Sequence, residues 1–163
     1  MRCRNCLLIL FAIAPFTKSL SQIDHVRVLI GQSDSTVINY LDSLTQLKTN
    51  PNPKVEKGAS SDGDVILHCD FALNNQSFYN CRYVSFFVHK FPDGFEMCYK
   101  QTVSGSIEYA PSQLNYIKGN YNVISDNKWE GAYSRDYKIV ATFERANSDN
   151  PAYNLTYELK SKN

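Results

Sequence analysis

Histidine, aspartate and arginine lie close enough along the chain to form one charged site. His68 and Asp70 belong to one run of alternating residues, and Arg82 belongs to the next. If the connecting turn is 74–76, His68 lies directly across from Arg82 and Asp70 lies diagonal to both. An imidazole beside a carboxylate can move a proton, and a guanidinium can hold an anion. The competing interpretation is a set of solvated cross-strand pairs.

Three cysteines follow the N-terminal segment of the chain, namely Cys69, Cys81 and Cys98. The same turn places Cys69 directly opposite Cys81, where a disulfide could form in an oxidising compartment. Cys98 would then remain a buried thiol, and the alternative is that all three are small apolar core residues. No pair among these three cysteines has zinc-knuckle spacing and no histidines have ligand spacing, so we expect no metal and no cofactor.

Two aromatic residues are further binding candidates. Trp129 is the single tryptophan, and with Tyr116, Tyr121 and Tyr133 it could form an aromatic site for a sugar or a peptide. Core packing is the competing interpretation. Phe86 belongs to an apolar strip on the outer face of the predicted sheet, which either is covered by the helices or is a surface for a ligand or another protein. The strip consists of Ile66, Val84, Phe86, Val88 and Cys98.

The elements that must position these residues indicate an α+β domain. Apolar spacing predicts helices at 23–31 and 37–47, the second capped by Ser33 or Asp34. A change to a period of two then predicts strands, and a short helix is predicted at 112–121. We therefore expect an N-terminal segment of one or two helices packed on a mainly antiparallel sheet of about five strands. The predicted strands are 64–73, 78–91, 95–103, 137–145 and 152–160.

The sharpest local prediction is the turn at 91–95, with the sequence Phe-Pro-Asp-Gly-Phe. It fits a three-residue hairpin loop with Gly94 in the left-handed conformation. No internal repeat is found at the period of a solenoid. The hairpin would pair His89 with Met97, Phe87 with Tyr99, and Tyr83 with Val103.

The first 21 residues have the pattern of a secretory signal peptide. Arg2 and Arg4 precede an apolar run at 7–16, and small residues precede an expected cleavage after Ser21. The run is much shorter than the roughly 20 residues that span a bilayer, so no transmembrane anchor is expected after cleavage. We expect a single domain over 22–163 that is exported to the periplasm or the cell exterior.

Cleavage would also change the charge balance. The segment 1–21 carries Arg2, Arg4 and Lys18 and no acid. The chain has 17 basic and 16 acidic residues in all, so the remainder is slightly acidic. Non-specific nucleic-acid binding needs a basic surface that displaces counterions, and this balance argues against a nucleic-acid partner.

The plan of paired helices followed by an antiparallel sheet resembles small exported α+β modules, among them outer-membrane assembly lipoproteins and β-lactamase-inhibitor-like domains. The composition, rich in Asn, Tyr and Lys, resembles exported proteins of the Bacteroidetes. This resemblance concerns the fold plan and transfers no functional residue.

Motifs for serine nucleophiles, phosphate loops and dinucleotide binding are absent from the sequence. We therefore predict an exported, non-enzymatic binding or interaction module with a protein, peptide or glycan partner. The alternatives are a small secreted hydrolase that uses the His68, Asp70 and Arg82 patch, and a structural subunit of an envelope assembly.

Overall fold

The computed structural model describes residues 26–45, 54–71, 82–145 and 152–162. Within these ranges, eight strands form one antiparallel sheet and two α-helices lie against it. A short 3-10 helix, Ile107–Tyr109, leads into the second helix. The elements are α1 (Asp34–Thr45), β1 (Lys54–Ala59), β2 (Val65–Asp70), β3 (Tyr83–Lys90), β4 (Glu96–Ser106), α2 (Ala110–Asn120), β5 (Asn122–Ser125), β6 (Lys128–Ala132), β7 (Tyr137–Arg145) and β8 (Ala152–Ser161).

The fold contains one arrangement twice, a helix followed by four antiparallel strands. α1 precedes β1 to β4, α2 precedes β5 to β8, and the order in the sheet is β1-β2-β3-β4-β8-β7-β6-β5. The last strands of the two halves pair in the centre, from Lys100 opposite Glu158 to Ser106 opposite Ala152. We call this central β4–β8 pairing the seam.

The α+β class and the antiparallel sheet are confirmed, but the prediction of about five strands is wrong. The strands β1, β5 and β6 were not predicted. β1 and β5 form the two edges of the sheet, and their described side chains are exposed on both faces. A strand that is exposed to solvent on both faces needs no alternation of apolar and polar residues. The sequences of these edge strands therefore lack the period-two signal.

α1 begins as the sequence indicates. The Ser33 hydroxyl accepts a hydrogen bond from the Thr36 N–H at 3.3 Å, and the Ser33 carbonyl accepts from the Val37 N–H at 3.1 Å. Ser33 is therefore the N-cap. The apolar stripe of the helix, including Val37 and Leu41, is buried against the sheet.

The helix predicted at 23–31 is wrong over its described part, since residues 26–33 contain no helix. The apolar spacing did identify core residues, because Val26, Leu29 and Ile30 are all buried. The segment instead runs beside β4: the Gly31 N–H donates to the Cys98 carbonyl at 2.7 Å, and the Cys98 N–H donates to the Gln32 carbonyl at 2.8 Å. Pairing with a strand replaces the hydrogen bonds that a helix would have supplied.

Gln101 on β4 binds the segment 26–33 to the sheet through its side chain. Its side chain is fully buried. The Oε1 atom accepts from the Leu29 N–H at 2.9 Å, and the Nε2 atom donates to the Arg27 carbonyl at 3.0 Å. One side-chain amide thus satisfies a backbone donor and a backbone acceptor, as a neighbouring strand would.

The hairpin between β3 and β4 confirms the predicted turn. The Phe91 N–H donates to the Phe95 carbonyl at 2.7 Å, and Gly94 has φ 85°. His89 lies opposite Met97 as predicted. A bulge beside Val88 then shifts the register, so the other two predicted pairs are wrong: Phe87 lies opposite Lys100, and Tyr83 lies opposite Ser104.

The register of β2 against β3 differs from the prediction by three residues. Cys69 lies opposite Val84 and not opposite Cys81, which itself lies outside the described residues. Side chains alternate between the two faces, so an odd shift moves every residue of one strand to the other face. The described helices therefore cover most of the predicted apolar strip. Its residues Val84, Phe86, Val88 and Cys98 are buried in the core.

α2 confirms the helix predicted at 112–121, with Ile117 fully buried and Leu114 packed against the core. Tyr121, just after the helix, lies with its ring over Gly131 on β6. A Cβ atom at Gly131 would approach the Tyr121 Cδ1 and Cε1 atoms to 2.7 Å. The Tyr121 ring also packs on Tyr157, with ring centroids 6.0 Å apart. The absence of a side chain at Gly131 therefore lets the end of α2 approach the sheet.

Candidate functional site

The two faces of the sheet differ in what covers them. Both described helices pack on one face, which carries the buried side chains of Leu67, Phe86, Leu155 and Tyr157. No described helix packs on the opposite face, which we call the open face. Its residues are the alternate ones along each strand, and in the middle of the sheet they are half-buried by one another.

A line of short hydroxyl side chains crosses the open face at one register level. Ser85 lies opposite Thr102, Thr102 opposite Thr156, and Thr156 opposite Thr142. We call these four residues the hydroxyl row. His68 lies opposite Ser85 at one end of the row, and its Nδ1 atom is 2.9 Å from the Ser85 hydroxyl. At the seam, the Thr102 and Thr156 hydroxyl oxygens are 3.4 Å apart.

Larger side chains flank the hydroxyl row. Phe87, Lys100 and Glu158 form the next level on one side. The Lys100 ammonium lies 5.3 Å from the centre of the Phe87 ring, and Glu158 contacts Lys100 at 3.6 Å and Lys160 at 2.6 Å. Burial opposes ionisation of Glu158, but the hydrogen bonds and charges of Lys160 and Lys100 outweigh it and lower the pKa of Glu158. The level on the other side of the row carries Tyr83, Ser104, Asn154 and Glu144.

An acid, an imidazole and a phenol meet at one end of the open face. The Asp64 Oδ1 atom lies 2.6 Å from the His89 Nδ1 atom, and the Tyr99 hydroxyl donates to the Asp64 Oδ2 atom at 2.7 Å. Burial would raise the pKa of Asp64, but the hydrogen bonds from Tyr99 and His89 and the charge of His89 lower it below the usual 3.8. Burial and the bond to Asp64 raise the pKa of Tyr99 to about 12.

This cluster stabilises the fold and is not a catalytic site. The pair of Asp64 and His89 has the geometry that orients a general base, but within the described residues no hydroxyl or thiol nucleophile bonds to His89. Asp64 follows the β1–β2 turn, His89 ends β3, and Tyr99 lies at the bulge of β4. The carboxylate thus joins three elements whose register the bulge would otherwise leave less constrained.

Replacing Asp64 with asparagine is expected to lower the free energy of unfolding by about 1 kcal/mol near neutral pH, since the charge-assisted bonds to Tyr99 and to the partly exposed His89 are lost. A lowered pKa contributes stability above the usual value of 3.8, and this contribution is lost as the pH falls through the folded-state pKa. The difference between wild type and Asp64→Asn should therefore close in acid. Urea unfolding across acidic and neutral pH measures it. Asp62→Asn, at an exposed position of the same turn, is the control; a difference that did not depend on pH would contradict the assignment.

The charged patch predicted from sequence is only partly assembled. His68 and Asp70 both lie on the open face, but His68 faces Ser85, while Arg82 is exposed beside the start of β3. The prediction that His68 lies opposite Arg82 is therefore wrong. His68 and His89 both lie on the open face. Four residues of β3 separate their levels, or roughly 13 Å, so they share a face without sharing a site.

The other predicted binding residues lie on the helix-covered face. Phe86 is fully buried, with its ring edge-on to Tyr40 at 6.4 Å, so it presents no surface to a ligand. Trp129 is 3% exposed. It lines a cavity of about 550 Å³ between α2 and strands β6 and β7, together with Leu114, Phe143 and residues of the β5–β6 turn. Tyr133 packs away from this cavity, against Gly31.

The cysteines do not form the predicted bond. Cys69 and Cys98 are free and buried. Burial, followed for Cys69 by the charge of Asp70, raises the pKa of both thiols to about 12. Both therefore stay protonated and act as small core residues, which is the alternative that the sequence left open.

The class of protein that this geometry defines is an α+β domain with a helix-covered face and an open, polar face on one eight-stranded sheet. Among the described residues, no group of three or more His, Cys, Asp or Glu side chains could hold a metal ion. In the same part of the chain, no helix has the length and apolarity to cross a membrane. Comparison with protein-family models, with curated proteins and with solved structures found no match for this chain.

Sequence reasoning missed the hydroxyl row and the Asp64 cluster because both depend on the register in which the strands pair, which the sequence did not reveal. The polar side of β8 was evident from its alternation, but not the strand that lies beside it. Thr102 and Thr156 are separated by 54 positions, and only the seam brings them together. The pairing of Tyr99 with Asp64 depends on the bulge, which has no sequence signal here.

Proposed function

We propose that this chain is an exported, non-enzymatic binding module that holds its ligand on the open face of the sheet. One observation carries the proposal: both described helices lie on the same face, so no described helix covers the other face. A face of eight strands is roughly 34 Å wide at 4.8 Å per strand, enough for an extended ligand. Half-buried aromatic, charged and hydroxyl side chains occupy its centre.

The hydroxyl–imidazole pair of Ser85 and His68 and the acid–imidazole pair of Asp64 and His89 lie roughly 13 Å apart, so they do not combine into one catalytic group, and this favours binding over catalysis. His89 is oriented by Asp64 but has no hydroxyl or thiol partner there, and the described thiols are protonated and buried. Turnover of a substrate that disappears on changing one polar residue of the open face would count against a binding role.

A photoreactive residue at the proposed surface tests the location of the ligand. We expect p-benzoylphenylalanine at Phe87 to form an adduct in the cells that produce the protein, detected as a mass increase. The same residue at Lys118, exposed on α2, should give none and serves as the control. An adduct at Lys118 but not at Phe87 would place the ligand on the helix-covered side and contradict the proposal. The absence of an adduct at both positions would also overturn it.

Export is supported by the pattern of the first 21 residues, which lie outside the described ranges. We expect the intact mass of the protein recovered from its host to correspond to a chain that begins at Gln22. A chain that begins at Met1 would contradict export and leave the binding face to be tested by itself.

A further inference from the structure

We propose that the open face binds a neutral polysaccharide chain along the hydroxyl row, with the Tyr83 ring as a stacking platform beside it. This inference rests on the proposed function, because it names the chemical class of the ligand for the same face. The argument depends on the shape of the row, its hydrogen-bonding capacity, its neighbours and its lack of charge.

The shape comes from side-chain size and register. Ser85, Thr102, Thr156 and Thr142 carry short side chains at one level, and the next level carries Phe87, Lys100, Glu158 and Val140. Short side chains beside long ones on a pleated surface form a shallow step that crosses the strands, and Tyr83 adds a wall on the other side at the Ser85 end. From Ser85 to Thr142 the row spans three strand spacings, or about 14 Å, so it fits an elongated ligand better than a compact one.

The hydrogen-bonding capacity of the row matches sugar hydroxyls. Each side-chain hydroxyl has one donor and two acceptor positions. Contacts within the row use only part of this capacity, since His68 meets Ser85 at 2.9 Å and Thr102 meets Thr156 at 3.4 Å. Those contacts also restrict the rotation of the hydroxyls, which lowers the cost of ordering them around a ligand.

The stacking platform lies one level away. Tyr83 is half-buried beside Ser85, and its ring is tilted against the His68 imidazole with centroids 5.4 Å apart. A ring held in this way offers a rigid apolar surface with a polar end. The axial C–H groups of a pyranose can pack on that surface while its hydroxyls bond to the row.

The absence of charge in the row selects among ligand classes. Its four residues are uncharged, Lys100 beside them is paired with Glu158, and Lys128 opposite Thr142 is one cation at one end, whereas a nucleic acid or an anionic polymer would require several lysines or arginines along its length. Serine and threonine are under-represented among the residues that dominate protein–protein affinity. The hydroxyl row is therefore better suited to a neutral glycan than to a protein.

Affinity electrophoresis tests the inference with defined probes. The gels contain mixed-linkage β-glucan, arabinoxylan, galactomannan, dextran or amylopectin, with polygalacturonate as the charged comparator. We expect wild type to be retarded by at least one neutral polymer. Thr102→Val with Thr156→Val, which keeps the shape but removes both hydroxyls, should weaken binding at least tenfold. Thr102→Ser with Thr156→Ser keeps the hydroxyls and should retain most of the binding.

Each outcome decides the matter. Loss of binding in the valine variant and in Tyr83→Ala, with unchanged thermal unfolding, supports the inference. No retardation by any neutral polymer overturns it, and an adduct of a protein at photoreactive Phe87 would then leave the proposed function standing with a different ligand. Retardation that survives both the valine and the Tyr83→Ala changes would place the glycan elsewhere and remove support for the open face as well.

Discussion

Replacing Gln101 with methionine is expected to lower the free energy of unfolding by about 3 kcal/mol, because two backbone groups lose their partners inside the protein. The Leu29 N–H and the Arg27 carbonyl both bond to this amide, and the side chain is fully buried. Methionine fills nearly the same volume, so the loss reports the hydrogen bonds more than the packing. Urea unfolding measures it, and amide exchange at Leu29 should accelerate.

Two further variants make this result specific. Gln32→Met, at an exposed position in the same segment, should be nearly neutral. Gln101→Glu should be better tolerated as the pH falls, since a protonated carboxyl can accept from Leu29 and donate to Arg27 as the amide does. A cost below about 1 kcal/mol for Gln101→Met would mean that water satisfies these groups and that the amide does not hold the segment.

Replacing Gly131 with alanine should cost about 2 kcal/mol, because the added methyl group overlaps the ring that packs on it. The new Cβ atom would lie 2.7 Å from the Tyr121 Cδ1 and Cε1 atoms. The ring has little freedom to retreat, since it also packs on the buried Tyr157. Thermal or urea unfolding measures the loss.

Gly58→Ala in β1 is the matched control for Gly131→Ala. No atom lies within 4 Å of a Cβ built there, so this change should be neutral or slightly stabilising. Tyr121→Ala should abolish most of the cost of Gly131→Ala in a double-mutant cycle. Equal costs for both glycines would show that strand conformation, and not the Tyr121 contact, determines the effect.

Local elements and the pairs next to the 91–95 turn were predictable, but the other strand pairings were not. The 91–95 turn and α2 follow from Gly94 and from the spacing of Leu114 and Ile117. The register of β2 was missed because it was derived from an assumed turn at 74–76, which lies outside the described residues. One odd shift then exchanged the faces, so Phe86 changed from a ligand candidate to a core residue.

The N-terminal segment shows a second limit. Val26, Leu29 and Ile30 have helical spacing and are buried, yet they lie in an extended segment. Spacing reports which side chains face the core, but the backbone follows its best hydrogen-bond partners. Those partners were Cys98 and Gln101, about 70 positions away, as the separation of Leu29 and Gln101 by 72 illustrates.

The doubled arrangement of a helix and four strands was invisible in the sequence. The two halves share their order of elements but no motif at a fixed period, and their helices α1 and α2 differ in composition. A sheet face needs only a pattern of apolar and polar positions, which many unrelated residues satisfy. Topology can therefore recur without a repeat in the sequence.

During folding, the open face is complete only after the seam has formed. Within each half, neighbouring strands follow one another along the chain, so their hairpins form by closing short loops. The seam joins strands about 50 positions apart, and its chain-closure entropy makes it the slower pairing. Ser85 and Thr102 belong to the first half, Thr156 and Thr142 to the second. A ligand that spans the row would thus bind only the joined molecule and would slow the separation of its halves.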